Sequence, residues 1–139
     1  MKNILDFCHS DYSIFNEDKN QYDLNWTDIG NSSNMGYDSI LSAFKYTRSG
    51  DLESLPYAGL YTNYMGGGYI YEMKGSNLKS DEIKFNLSIL QQKNWIDRQT
   101  RAVFIEFSTY NPNINLFSNL IILFEFLPTG SLVNSISLD

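Results

Sequence analysis

From Trp95 to Gly130 apolar and polar positions alternate over one long stretch, WIDRQTRAVFIEFSTYNPNINLFSNLIILFEFLPTG. Val103, Ile105, Phe107 and Thr109 fall on one side of a period of two, and Phe104, Glu106 and Ser108 on the other. After the turn signal Asn111-Pro112-Asn113, Ile114, Leu116, Leu120, Ile122, Phe124 and Phe126 share a side, with Asn115, Asn119 and Glu125 opposite. Alternation of this length predicts two half-buried antiparallel strands joined as a hairpin. The residues are the β-branched and aromatic types that suit a pleated surface. Reading Leu120 to Leu127 as a membrane helix fails on length, since a span needs about 20 apolar residues. Glu125 also interrupts the run.

A second pattern has the helical period. Ile83, Leu87 and Leu90 form one stripe and Phe85 and Ile89 another, over Asp81 to about Lys93, at the spacing of a helix face. Ser80 is placed to cap this helix, with Asp81 and Glu82 in a first turn whose dipole favours acids. Asn86 falls between the stripes, on the arc expected to be buried, so the sequon Asn86-Leu87-Ser88 is expected to stay unglycosylated. The helix is expected to lie across the sheet and cover its apolar face, with Trp95 plugging the corner before the hairpin. Tyr57, Leu60, Tyr61 and Tyr64 predict a strand, Ile40, Leu41 and Phe44 a short helix or strand, and Leu132 to Leu138 a last strand. Residues 1–36 are weakly patterned. Tyr12, Phe15, Tyr22 and Trp26 punctuate a polar background there, which reads as loop with a helical turn around Phe15 to Lys19. The expected fold is α+β: an antiparallel sheet of four or five strands, one main helix packed on it, and an irregular aromatic-rich N-terminal loop.

Composition narrows the function. The 139 residues fit a single domain, residues 1–139, long enough to bury roughly 70% of its unfolded surface. A net charge of −6 speaks against nucleic acid, which needs a basic face, and against docking on anionic lipid. With Cys8 as the one cysteine, no disulfide can close within the chain. That is compatible with a reducing compartment or with a partner thiol outside the chain. Met1 to Asp6 is too short and polar to supply a signal core. The chain therefore reads either as cytosolic or as an excerpt of a longer membrane protein.

Candidate chemistry is sparse. His9 adjoins Cys8, but neighbours in sequence rarely face each other as a nucleophile and base must, and zinc would need about four ligands. Glu106 and Glu125 could form a glycosidase pair. At polar strand positions, with Arg98 and Arg101 near in sequence, a solvated or ion-paired role is the commoner one. Asp97 and Arg101 flank the strand start, where an ion pair or cap is expected. Glu17, Asp18 and Asp28 lack the spacing of an EF-hand. Gly66-Gly67-Gly68-Tyr69 lacks both the Lys-Ser/Thr of a P-loop and the helix that a dinucleotide loop opens. Tyr69 to Met73 continues instead as strand, so a bulge or close backbone approach is expected. No enzyme activity and no cofactor is expected. Asn25-Trp26-Thr27 and Asn31-Ser32-Ser33 are sequons in expected surface loop, making Asn25 and Asn31 candidate glycosylation sites.

Several of these residues also form an ordered set. Trp95-x-Asp97-x-x-Thr100-Arg101-Ala102-Val103-Phe104 is followed by Glu106-Phe107-x-x-Tyr110-Asn111-x-Asn113-x-Asn115-Leu116-Phe117 and then Glu125-Phe126-x-x-x-Gly130. This resembles the polycystin domain, the extracytosolic insert between the first two membrane helices of polycystin channel subunits. The family shares Gly66-Gly67-Gly68-Tyr69 ahead of a strand and a segment similar to Ser42-Ala43-Phe44-x-Tyr46. Ser118 departs from it, since many relatives carry Cys after Asn-Leu-Phe. Cys8-x-x-x-Tyr12-Ser13, Glu17-Asp18, Tyr22 and Trp26 resemble the loop of polycystin-1-like subunits, with Asp11 where relatives usually have Pro. The resemblance covers roughly residues 8–130. It implies a domain extending upstream of Met1, with the disulfide partner of Cys8 there. It implies a non-enzymatic, extracellular or lumenal part of a multi-pass cation channel at the plasma membrane, cilium or endoplasmic reticulum. Tetramers with polycystin-2-like subunits follow from it, with the domain as a lid above the pore and the membrane reached only through flanking helices. Tyr12, Phe15, Tyr22 and Trp26 are then the expected subunit-contact residues. The other reading that the residues allow is a freestanding secreted or cytosolic β-rich module with an acidic aromatic ligand face.

Overall fold

The structure, a computed structural model, describes residues 10–30, 38–74 and 79–139. A 3-10 turn, Leu24–Trp26, is followed by α1 (Asp38–Leu41), a second 3-10 turn (Ser42–Phe44), β1 (Tyr46–Thr47), α2 (Ser49–Leu52), β2 (Tyr57–Ala58), β3 (Asn63–Tyr64), β4 (Gly68–Tyr69), α3 (Ser80–Gln92), β5 (Ala102–Asn111), β6 (Leu116–Phe126) and β7 (Leu132–Leu138). They sort into two compact units. No helix among the described residues is long and apolar enough to cross a membrane.

The first unit holds the described part of Met1–Asn16, Tyr57–Tyr64 and Gln99–Asp139. Its frame is the expected hairpin. β5 and β6 pair antiparallel without a break from Ala102↔Glu125 to Asn111↔Leu116, and β7 adds to the other side of β6, from Phe126↔Leu132 to Leu120↔Leu138. Asn111, Asn113 and Asn115 build the hairpin tip. The Asn113 amide donates to Asn111 Oδ1 at 3.0 Å, and Asn115 takes the left-handed conformation (φ 50°) that asparagine tolerates. The Tyr110 hydroxyl donates to Asn115 Oδ1 at 2.8 Å, and its ring stacks on Phe117. Register confirms which residues share a face, but burial falls on the side expected to be polar. Leu123 and Glu125 are 0% and 1% exposed, and Phe104, on their side, takes the ring edges of Tyr57 and Tyr64. Ile105 and Phe107, on the apolar side, are exposed.

The second unit comprises Glu17–Pro56 and Met65–Arg98. Its centre is Ile40, Ala43, Phe44, Ile89 and Leu90, with Tyr22, Leu24, Trp26, Tyr71 and Trp95 packed around them. The Trp95 indole N–H donates to the Ala43 carbonyl at 2.8 Å. This corrects two expectations. The main helix, α3, buries Ile89 and Leu90 against α1 and the turn after it, while Phe85 and Leu87 stay exposed. The two apolar stripes of the helix are therefore not both buried. Nor is there a sheet of four or five strands among the described residues: the strands form β1–β4, β2–β3 and β5–β6–β7. The tyrosine-rich segments supply only two residues of regular pairing each before a glycine or turn diverts the backbone. Residues 57–64 thus form a short hairpin rather than one strand. Ser80 is the first residue of α3 rather than its cap, and Lys79 precedes it with no capping side-chain bond.

Candidate functional site

Glu125 organises the first unit. Its Oε2 accepts the Leu60 amide at 2.9 Å; its Oε1 accepts the amides of Tyr61 (3.1 Å) and Thr62 (3.4 Å) and the Tyr64 hydroxyl (3.0 Å). Successive backbone N–H groups form a concave nest suited to an anion, and here the protein's own carboxylate fills it with charge-assisted bonds. Gly59 makes the room. A Cβ there would collide with Glu125 Oε1 and lie 2.8 Å from the Thr62 carbonyl. From the sequence, a solvated or ion-paired carboxylate was expected at Glu125. The available signal was local: a carboxylate within Leu123–Phe126, where every neighbour is apolar and the cross-strand partner is the small Ala102.

The fastened loop carries Leu60 and Tyr61 outward. The Tyr61 hydroxyl donates to Asp11 Oδ1 at 3.2 Å, and the Tyr12 ring lies 5.0 Å from that of Tyr64. Between them and the second unit's sequence sits a tight turn. Asn16 Oδ1 accepts the Ser13 amide at 2.7 Å, and Asn16 Nδ2 donates to the Asp11 carbonyl at 2.7 Å. Phe15, at the tip, is 100% exposed, and Ile14 is exposed beside it. A side-chain amide thus holds an aromatic ring in water, at the cost of leaving its apolar surface exposed.

Tyr22 and Trp26, expected with Phe15 as contact residues, belong to the packing of the second unit. Trp26 meets Phe44 and Tyr69 edge-on at 4.8 Å each, and its N–H donates to the Asn94 carbonyl at 2.8 Å. Its φ of 58° is uncommon for so bulky a residue. Tyrosine hydroxyls fasten the segment before it: Tyr22 to Asp18 Oδ2 (2.7 Å), Tyr69 to the Asn20 carbonyl (2.9 Å) and Tyr46 to Glu17 Oε1 (3.3 Å). These contacts have no period, so alternation could not show them. Gly66 and Gly67 lie against Ser54 and the Tyr46–Thr47 strand, while Gly68 faces open space. That is the close approach expected of the glycine run.

Asn25 is exposed, and its Oδ1 accepts from Asn94 Nδ2 at 3.2 Å. Cys8, His9 and Asn31 lie outside the described residues. Glu106 is exposed and Glu125 buried, so the carboxylates expected as a possible pair sit in unlike environments. No cluster of metal-ligating side chains occurs among the described residues, and Glu17, Asp18 and Asp28 are not gathered into one. The Arg101 guanidinium donates to the Thr100 carbonyl at 3.1 Å, and its own carbonyl accepts the Phe126 amide at 2.8 Å, placing it where β5 begins.

Burial, then the bond to Glu125, raises the Tyr64 pKa, and burial with the Asp18 charge raises that of Tyr69, both above the ordinary 10.0. A raised folded-state pKa means that the unfolded chain releases the proton first. The stabilisation is therefore complete below pH 10 and is lost as pH rises beyond it. The midpoint of urea unfolding is expected to fall from pH 9.5 to about 11, and Tyr64→Phe with Tyr69→Phe to flatten that fall. An unchanged slope in the double variant would refute this.

The polycystin domain family matches residues 1–139. The chain is 43% identical to polycystin-2-like protein 1 of Homo sapiens over 94 residues, 68% of this chain and 11% of that protein. It is 34% identical to polycystin-2-like protein 2 of Mus musculus over 135 residues, 96% of this chain and 19% of that protein. With the polycystin family receptor for egg jelly of Homo sapiens it shares 33% over 132 residues, 94% of this chain and 6% of that protein. The chain spans under a fifth of the length of each of these relatives. The family match over the whole chain and these relatives at 43%, 34% and 33% identity agree: the chain belongs to the polycystin domain family.

Proposed function

We propose that this chain is the extracytosolic assembly and regulatory domain of a polycystin channel subunit, and that the Phe15 turn touches a neighbouring subunit. Family membership supports the channel setting, and the residues gathered here serve packing and presentation rather than catalysis. The observation that carries the contact is Phe15 itself, fully exposed on a turn braced by Asn16. Aromatic anchors ordered before binding lose little freedom on docking and dominate interfaces. The neighbour proposed is a polycystin-2-like subunit within a tetramer. The loop motif Cys8-x-x-x-Tyr12-Ser13 supports a polycystin-1-like class for this chain, although relatives of polycystin-2 type match it well. In that setting Cys8 pairs with a cysteine outside the chain, and Asn25 and Asn31 carry glycans.

Phe15→Ser tests the contact. The melting temperature of the isolated chain is expected to stay nearly constant, since surface substitutions fall within about 0.5 kcal/mol. Co-precipitation of the full-length subunit with a polycystin-2-like partner is expected to drop about tenfold. Tyr22→Ser is the contrast: it should lower stability by removing the ring packed on Trp26 and Tyr69. Undiminished co-precipitation by the Phe15 variant would remove the turn from the interface.

A further inference from the structure

β7 pairs with β6 only as far as Leu120↔Leu138, and the last bonds join Asn119 to Asp139 at 2.9 Å. Beyond them β5 and β6 continue alone, through Thr109↔Ser118, Tyr110↔Phe117 and Asn111↔Leu116 to the asparagine turn. Every residue from Ile105 to Phe117 is exposed, so the first unit covers neither face of this ribbon. Apolar side chains nevertheless occupy both faces. The stacked rings of Tyr110 and Phe117 lie on one, 50% and 69% exposed, and Leu116 lies on the other at 57%. Ile114, 65% exposed, stands at the tip. No charge interrupts the sequence from Phe107 to Phe124. We propose that this arm dips into the surface of a zwitterionic lipid bilayer. Its two-sidedness selects that occupant. A protein docked on one face would leave the apolar groups of the other in water, whereas a lipid layer surrounds the ribbon. Charge agrees, since an uncharged arm gives up no ionic hydration on entering. A chain of net charge −6 gains nothing from anionic headgroups, which attract basic segments. Dimension agrees as well. The three pairs beyond Asn119 and the turn reach about 10 Å at ~3.3 Å per residue, the depth to which interfacial elements sink. Tyrosine suits that level, with its ring in the apolar layer and its hydroxyl among headgroups. The turn also brings part of its own hydrogen bonding: Asn111 Oδ1 accepts the Asn113 amide, and Asn115 Oδ1 accepts the Tyr110 hydroxyl. Fewer bare polar groups then enter the lipid. The proposal rests on the channel reading only for the tether that keeps the domain beside a bilayer. The test below needs no channel, so either can fail without the other.

Pelleting of the whole chain with phosphatidylcholine vesicles tests this. A single myristoyl chain binds bilayers with a constant of about 10⁴ M⁻¹. The side chains of the arm should come within about tenfold of it, so most of the chain should pellet at about 10 mM lipid. Ile114→Glu with Leu116→Glu alters side chains already in water. The melting temperature should hold while vesicle binding falls about tenfold or more. Ile136→Glu with Leu138→Glu adds the same charge to exposed apolar positions of β7, away from the arm, and should leave binding unchanged. In Phe117→Trp the new indole emission should shift to the blue on vesicles and be quenched by lipid brominated on its acyl chains. A chain that stays in solution at that lipid concentration overturns the proposal. So does binding that survives the arm pair, falls equally with the β7 pair, or leaves the new indole unquenched. Binding that appears only when phosphatidylserine is added would mark a charge effect and overturn it too. Failure to bind vesicles, together with slowed amide exchange at residues 110–117 when a partner subunit is added, would assign the arm to a protein instead.

Discussion

Glu125→Ala is expected to lower the unfolding free energy by about 2–4 kcal/mol, since it strips the acceptor from one buried hydroxyl and three half-buried amides at once. The amides of Leu60, Tyr61 and Thr62 and the Tyr64 hydroxyl all converge on that carboxylate. A fully buried donor left unsatisfied costs roughly 1–3 kcal/mol, and the half-buried amides less, because water reaches them as the loop loosens. Glu125→Gln separates charge and geometry from volume. The amide fits the space, but its NH₂ now faces backbone N–H groups, so most of the loss should remain. Gly59→Ala approaches the same contact from the other side, because its Cβ would displace the carboxylate. Glu106→Ala, exposed on β5, should stay within about 0.5 kcal/mol. Urea unfolding of the four variants reads this directly, and amide exchange at residues 60–62 should quicken first. A loss below about 1 kcal/mol for Glu125→Gln would mean that the nest contributes little beyond filling space.

The contrast between the two halves of that site explains what the sequence could disclose. The hairpin was legible because its period, its length and the asparagine turn are all local. Pairing from Ala102↔Glu125 to Asn111↔Leu116 follows once Asn111 to Asn115 sets the tip. A period of two says which residues share a face, yet not which face turns inward. That choice was made by Tyr57, Tyr64 and the loop at 60–62, more than 60 residues from Glu125 in one case and 40 from Phe104 in another. The helical period of α3 was legible for the same local reason. Its partners were not, because α1 and the turn Ser42–Phe44 show too few residues to carry a stripe. The aromatic loop failed differently. Tyr22 and Trp26 look unanchored in sequence because they are held by hydroxyl bonds, an indole N–H and edge-on ring contacts, none of which repeats. Phe15 has no such partner and remained where composition placed it.

Gly66→Ala is expected to cost about 1–3 kcal/mol by forcing a side chain into backbone that is already in contact, whereas Gly68→Ala should change stability by less than about 0.5 kcal/mol. A Cβ on Gly66 would lie 2.7 Å from the Ser54 carbonyl oxygen and 2.9 Å from its carbon, and would also strike Ser54 Oγ. Main chain cannot swing aside as a side-chain tip can. The move would also break the 2.5 Å bond from the Ser54 hydroxyl to the Gly66 carbonyl. Gly67 meets the Tyr46 hydroxyl and, at 3.0 Å, the Thr47 carbonyl. Tyr46 can yield there, but only by giving up its bond to Glu17. Gly67→Ala should therefore fall between its neighbours, and combined with Tyr46→Phe the losses should be less than additive. Nothing lies within 4 Å of a Cβ on Gly68, although it pairs with Thr47 across the strands. The three variants, unfolded in urea under one set of conditions, give an order: Gly66 worst, Gly67 intermediate, Gly68 near neutral. Equal losses at Gly66 and Gly68 would point to backbone flexibility rather than close approach. A phosphate cradle makes a different forecast, with the unfolding of all three variants unaltered and a phosphate-dependent rise in melting temperature lost.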